Sequence, residues 1–245
     1  MKHRFDLTGK RVLVTGASGG LGRHFAQVLA GEGAEVILAA RRADALADAV
    51  AKIGRSARAL ALDVTDPASV TACFEAAGPL DILINNAGIG DSKDALDLTE
   101  EDWSRTMETN LTGAWRAAQA AARQMGRGAT IINIASILGL RVMGRVMPYC
   151  VSKAGLIQMT KALAFEWARL GIRVNALAPG YIETDINRDF FRTEAGRAVI
   201  KRIPQRRLGR MEDLAGPLLL LASDASAFMT GAVVEVDGGH LVSGL

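Results

Sequence analysis

The chain has 245 residues, 49% of them hydrophobic, with a formal net charge of +3. That length can bury a sizeable core, and a single α/β domain spanning residues 1–245 is expected. The charge is too small and too scattered for a general nucleic-acid surface, the only basic cluster being Lys201, Arg202, Arg206 and Arg207.

Residues 11–14 read as a strand, leading into a glycine-rich turn at 16–22 and a helix to about Gly31. A second strand is expected at 35–39, a helix at 43–53 and a third strand at 59–62. Pro67 opens the next helix, as proline does in a first turn. Strand four covers 82–84, and Thr99 caps a long helix running to about Gln124. Strand five is 130–134, a second long helix is 149–170 and strand six is 172–177. Residues 181–209 are weakly patterned, which suggests a loop or lid. A helix at 211–222 and a strand at 232–236 complete the order. Apolar strands between helices predict a parallel sheet of about seven strands, covered on both faces in a doubly wound Rossmann-like fold. No apolar run reaches the roughly eighteen residues of a membrane span. No secretory apolar segment follows Met1, so a cytoplasmic protein is expected. Cys73 and Cys150 suggest no disulfide framework, and His3, His24 and His240 have no metal-ligand spacing.

Two local patterns point to chemistry. Gly16, Ser18, Gly19, Gly20, Leu21 and Gly22 lie between the first strand and the first helix. Glycines there let the backbone approach a pyrophosphate, which the helix N-terminus attracts. At the end of the second strand stand Arg41 and Arg42 rather than a carboxylate. An acid there would bind a ribose 2′-hydroxyl, whereas guanidinium suits a 2′-phosphate, so NADP(H) is expected over NAD(H), with Arg41 as the main contact. Downstream, Tyr149 and Lys153 are four residues apart on one helix face. A lysine beside a phenol favours the phenolate and would move its pKa toward the working range.

Together these residues resemble the short-chain dehydrogenase/reductase family nearly end to end. The match includes the loop from Thr15 to Gly22, Asp63-Val64, Asn85-Asn86-Ala87-Gly88 and Asn110. It continues through Ser136, Tyr149 with Lys153, Pro179-Gly180, Thr184 and Asp237-Gly238-Gly239. The resemblance implies an NAD(P)-dependent oxidoreductase acting on a carbonyl or secondary alcohol. It implies that Asp63 and Val64 hold the adenine, that Asn86, Ala87 and Gly88 line the nucleotide, and that Pro179, Gly180, Ile182 and Thr184 meet the nicotinamide end. Tyr149 would donate a proton to the carbonyl oxygen that Ser136 hydrogen-bonds. Lys153 would reach the ribose hydroxyls and lower the tyrosine pKa, and Asn110 would hold a water linking Lys153 to solvent.

The substrate is less legible. Met143 and Tyr181 are expected in its pocket, and Arg141 and Arg145 could face an anionic group or serve as surface residues. The pattern looks most like 3-oxoacyl-thioester reductases, with an acyl carrier protein or CoA thioester as partner. An alcohol, sugar or polyol dehydrogenase is the alternative, and a non-catalytic nucleotide sensor a remote one. Similar proteins are usually homotetramers, for which the alanine-rich helix around 114–122 could supply close packing.

Overall fold

A computed structural model describes residues 5–42, 44–184 and 187–243. Its strands are β1 (Arg11–Thr15), β2 (Glu35–Ala40), β3 (Ala57–Ala61), β4 (Ile82–Asn85), β5 (Thr130–Ile134), β6 (Arg173–Pro179) and β7 (Val233–Val236). They form one sheet in the order β3-β2-β1-β4-β5-β6-β7, every pair parallel. The order reverses between β1 and β4, so the crevice for a ligand opens at their carboxyl ends. This is the doubly wound Rossmann-like sheet expected from the sequence.

The helices are α1 (Gly20–Gly31), α2 (Ala47–Ile53), α3 (Pro67–Ala77), α4 (Glu100–Met107), α5 (Gly113–Ala122) and α6 (Met147–Trp167). After β6 come α7 (Arg188–Arg192), α8 (Glu194–Arg202) and α9 (Ala215–Ala222). Alternate side chains of each strand enter opposite cores. Val12 and Val14 pack in a cluster with Phe25 and Leu29 of α1 and Leu218 and Leu221 of α9. Leu13 packs in another with Phe74 of α3 and Ala117 and Ala121 of α5. The small residues of α5 let it lie close to the sheet, and removing the fully buried Phe25 ring would cost about 3–5 kcal/mol.

Two elements differ from expectation. The long helix predicted over 99–124 is interrupted: α4 and α5 are joined by a π-helical turn, Glu108–Thr112, that contains Asn110. Periodicity alone does not reveal that extra residue. The weakly patterned 181–209 stretch is mostly helical. Thr193 caps α8 through Gly196 N at 3.1 Å, and Ile182 bridges to Gly209 at the neck of the segment. Short helices there leave too few turns for a clear apolar stripe. Ala43, the predicted start of the second helix, and Asp185 of the lid lie outside the described residues. Among the described residues, no helix is long and apolar enough to cross a membrane.

Candidate active site

The carboxyl ends of β1, β2, β3 and β4 gather the nucleotide-side residues. Gly16 turns the chain out of β1 with φ +65°, and a side chain there would meet Ala87 Cα at 2.8 Å. A Cβ at Gly22 would collide with the Gly16 carbonyl oxygen and stand 2.5 Å from Asn86 Nδ2. At Gly19 and Gly20, by contrast, a Cβ would meet nothing within 4 Å. That open face adjoins the first turn of α1, where Gly19 supplies no side-chain cap and no acid is present. By contrast, α3 and α4 are capped by side chains, Asp66 and Thr99. The bare α1 terminus keeps free N–H donors and its positive dipole, which fits a pyrophosphate. Ser18 is exposed on this loop, while Leu21 turns inward against the core.

Thr15 ties the crevice together. Its hydroxyl accepts from Asn86 N at 3.0 Å and Ala87 N at 2.9 Å, and Asn86 Nδ2 donates to Thr15 O at 3.0 Å. The register of β2 with β3 pairs Ala40 with Ala61, which brings Arg41 and Asp63 to one rim. Arg41 and Arg42 are exposed. Asp63 accepts from the Thr65 hydroxyl at 2.7 Å. That bond holds its carboxyl below the usual range, with a smaller pull from the Arg41 guanidinium. Val64 is buried and abuts Gly113, where a Cβ would lie 2.7 Å from its Cγ2. Val64 thus packs against the start of α5 as well as lining the rim. Asn85 is structural: its amide donates to Ala114 O and to Asn133 Oδ1 beneath the sheet end.

The second group converges from β5, α6 and the π turn. Ser136 follows β5, and Tyr149 and Lys153 lie in the first two turns of α6, which Pro148 helps open. The Ser136 hydroxyl lies close enough to the Tyr149 phenol to favour its ionised form. Lys153 is buried, donates to Ile134 O at 2.7 Å, and sits 5.6 Å from the Tyr149 ring centroid. Asn110 is fully buried and clasps Ile89, accepting from Ile89 N at 2.8 Å and donating to Ile89 O at 2.8 Å. Its amide also donates to Ser152 Oγ at 3.1 Å, and Ser152 donates to Tyr149 O at 2.8 Å. The Asn110 side chain is therefore committed to protein partners, and its contribution to a water would have to come from the backbone. Ser152 is a link in this network that the sequence reading did not single out; its position one residue before Lys153 is the only signal it carries.

The electrostatics differ from the expected lowering of the tyrosine pKa. Burial pushes the Tyr149 phenol up, and the Ser136 hydroxyl pulls the other way. Burial also pushes the Lys153 amine down to about 8. The Lys153 amine donates to a main-chain carbonyl, and burial sets the direction of the phenol's shift. Tyr149 is held protonated at neutral pH, the state that a proton donor needs.

Around this centre, Pro179 and Gly180 end β6, and Gly180 N donates to Val236 O at 2.9 Å. Ile182 is buried, and Thr184 N donates to Asn187 Oδ1 at 2.8 Å. The Tyr181 hydroxyl donates to Met143 Sδ at 2.9 Å, so these two expected pocket residues do meet. Arg141 donates to His240 O at 2.7 Å, whereas Arg145 pairs with Asp94 at 2.8 Å.

A parallel sheet with a bare helix N-terminus at its switch point, and a buried tyrosine–lysine–serine group at the neighbouring strand end, defines a dinucleotide-binding oxidoreductase. Residues 16–240 match a family model described as enoyl-(acyl carrier protein) reductase. The chain belongs to the short-chain dehydrogenase/reductase family, whose members act on CH–OH groups with NAD(P). It is 41% identical to L-rhamnose 1-dehydrogenase (NAD(P)(+)) of Azotobacter vinelandii, over 97% of this chain and 98% of that protein. It is 40% identical to 3-oxoacyl-(acyl-carrier-protein) reductase FabG of Escherichia coli, over 96% and 98%. A gluconate 5-dehydrogenase from Burkholderia cenocepacia, solved in complex with NADP and tartrate, superposes with a TM-score of 0.92 at 37% identity, covering 99% of this chain and 98% of that one.

Proposed function

We propose that the chain is an NADP(H)-preferring oxidoreductase in which Tyr149 exchanges the proton that accompanies hydride transfer to or from a carbonyl carbon. The convergence of Ser136, Tyr149 and Lys153 at the end of β5 carries this reading. The bound nicotinamide supplies the hydride chemistry. As hydride arrives, the carbonyl oxygen gains negative charge. Ser136 hydrogen-bonds that oxygen and Tyr149 gives it a proton, roles that fix its position and stabilise its charge. Lys153 then favours the phenolate left behind and offers its remaining donors to the nicotinamide ribose. A π turn leaves a carbonyl out of the helical ladder. Beside Asn110, such a carbonyl is suited to hold the water that returns a proton to Lys153.

Gly16, Ser18, Gly19, Gly20, Leu21 and Gly22 would cradle the pyrophosphate, and Asp63, Val64, Asn86, Ala87 and Gly88 the adenosine. Pro179, Gly180, Ile182 and Thr184 would line the nicotinamide end. The exposed Arg41 and Arg42, with no carboxylate at the end of β2, support a 2′-phosphate. Comparing kcat/KM for NADPH and NADH in wild type and Arg41→Ala tests this: the preference should fall about tenfold or more. An unchanged ratio would remove Arg41 from the assignment.

A 3-oxoacyl thioester, on CoA or an acyl carrier protein, is the second reading of the substrate. Its support is the exposed apolar surface of Leu140, Val142 and Met143 in the loop between Ser136 and Tyr149, which suits an acyl chain. Trp103, Trp115 and Phe165 are exposed on α4, α5 and α6 and support association into a homotetramer. The free, buried Cys73 and Cys150 suit a reducing cytoplasm.

A further inference from the structure

His240 reaches the substrate side of the crevice through a built turn. Asp237 accepts from Gly239 N at 2.8 Å and Leu241 N at 2.6 Å. Gly238 and Gly239, with φ +65° and +85°, reverse the chain after β7. The imidazole then lies 5.5 Å from the Tyr181 ring. His240 is 7% exposed, and its Nδ1 is buried without a hydrogen-bond partner. A buried ring nitrogen left unpaired is costly, so such an atom marks a place for a further polar group.

Two guanidiniums face the same corner. Arg141 donates to the His240 carbonyl at 2.7 Å and keeps the rest of its planar fork free. Arg202, in the last turn of α8, lies near enough that it and Arg141 both favour the Tyr181 phenolate and the neutral His240 ring. Neither arginine forms an ion pair with a described carboxylate. The nearby Asp237 bonds backbone N–H groups with both oxygens. Arg145, the other arginine of the Ser136–Tyr149 loop, is neutralised by Asp94. The corner is therefore left cationic, behind a tyrosine close enough to influence the Tyr149 phenol.

We infer that Arg141, Arg202 and His240 form a subsite for a substrate carboxylate, so that the compound turned over is a short oxo or hydroxy acid. Arginine binds carboxylate through two parallel N–H donors, and His240 adds a third polar contact. The subsite rests on the reading of Tyr149 as the group that meets the reacting oxygen. His240 packs against the Tyr181 ring, and Tyr181 is close enough to influence the Tyr149 phenol, so the subsite suits a carboxylate on a short substrate. A carrier phosphate, a whole pantetheine arm away, would overshoot it.

The test is calorimetric titration of the NADP complex with D-gluconate and L-tartrate, each beside its amide, and with acetoacetyl thioesters of CoA and of N-acetylcysteamine. At least one acid should bind tenfold or more tightly than its amide. Arg141→Met, or the surface variant Arg202→Gln should Arg141→Met fail to fold, should bring the paired Kd values within threefold of each other. Acid and amide binding alike would overturn the subsite. So would an arginine-dependent preference shown only by the CoA thioester over its truncated counterpart. Nicotinamide absorbance on the same ligands separates the two claims: a bound acid that is never turned over counts against the oxidoreductase reading and leaves the carboxylate subsite standing.

Discussion

Gly22→Ala and Gly19→Ala form a matched pair that tests the geometry of the nucleotide loop. A methyl at Gly22 would meet the Gly16 carbonyl oxygen and come within 2.5 Å of Asn86 Nδ2. Both neighbours are held by the crevice itself, since Asn86 bonds Thr15 O at 3.0 Å and Gly16 O at 3.3 Å. Side-chain Cβ atoms essentially never approach closer than 3.0 Å, so α1 must move outward by about half an ångström. Overpacking of this kind costs about 1–3 kcal/mol, and weakening the Asn86 bonds adds roughly 1 kcal/mol. For a total near 3 kcal/mol, Tm should fall by roughly 6–12 °C in a chain of this size. Gly19 has extended backbone, φ −172°, and its Cβ position faces open space. Gly19→Ala should melt within about 2 °C of wild type, yet lose about tenfold in NADPH affinity because the methyl occupies the pyrophosphate face. Calorimetric melts and NADPH fluorescence titration read both effects. Equal Tm values for the two variants would refute the packing argument. Wild-type NADPH affinity in Gly19→Ala would refute the assignment of that open face to the cofactor.

Titration of the two buried ionisable groups gives two further predictions. The chain has only two tyrosines, and burial raises the pKa of both Tyr149 and Tyr181. At pH 10 a free tyrosine is about half ionised. The apoprotein, with two tyrosines, should therefore show less than one tyrosine's worth of phenolate absorbance at that pH, and Tyr181→Phe, which should then show less than half of one, isolates Tyr149; half-ionisation of Tyr149 near pH 9 or below would contradict the burial. Lys153 behaves oppositely, because its folded pKa of about 8 lies below the ordinary 10.5. Below pH 8 both states are charged and the cost of burying the ammonium is fully present. Between about 8 and 10.5 the unfolded chain binds the extra proton, so this group's contribution makes stability rise with pH. Lys153→Met should thus gain stability relative to wild type at pH 7 and lose on the order of 3 kcal/mol of that gain by pH 10; a pH-independent difference in guanidinium unfolding would show that the amine is not desolvated.

Much of this site was readable from strand ends. Glycines at 16, 20 and 22, Arg41 after β2, Asp63 after β3 and Ser136 after β5 each stand where an apolar run stops, and a parallel sheet brings all such ends to one edge. Tyr149 and Lys153 were readable from helical spacing. What escaped depends on contacts between distant segments. Asn110 sits in a π turn because its side chain clasps Ile89, 21 residues away. Arg141 and Arg145 look alike in sequence, but only Arg145 finds an acid, Asp94. His240 acquires its place from the Asp237 turn and the Tyr181 ring, neither of which leaves a periodic trace. The direction of the Tyr149 shift also depends on burial, which the four-residue spacing cannot reveal.

The central claim is that Tyr149 donates the proton while other groups hold the cofactor. Single-turnover oxidation of NADPH by Tyr149→Phe, with the best carbonyl substrate of the panel and saturating coenzyme, tests it most directly. The variant lacks only the hydroxyl that Ser136 engages. The rate should fall about a thousandfold, with the NADPH Kd within a few-fold of wild type. Turnover within a few-fold of wild type at unchanged coenzyme affinity would contradict the account.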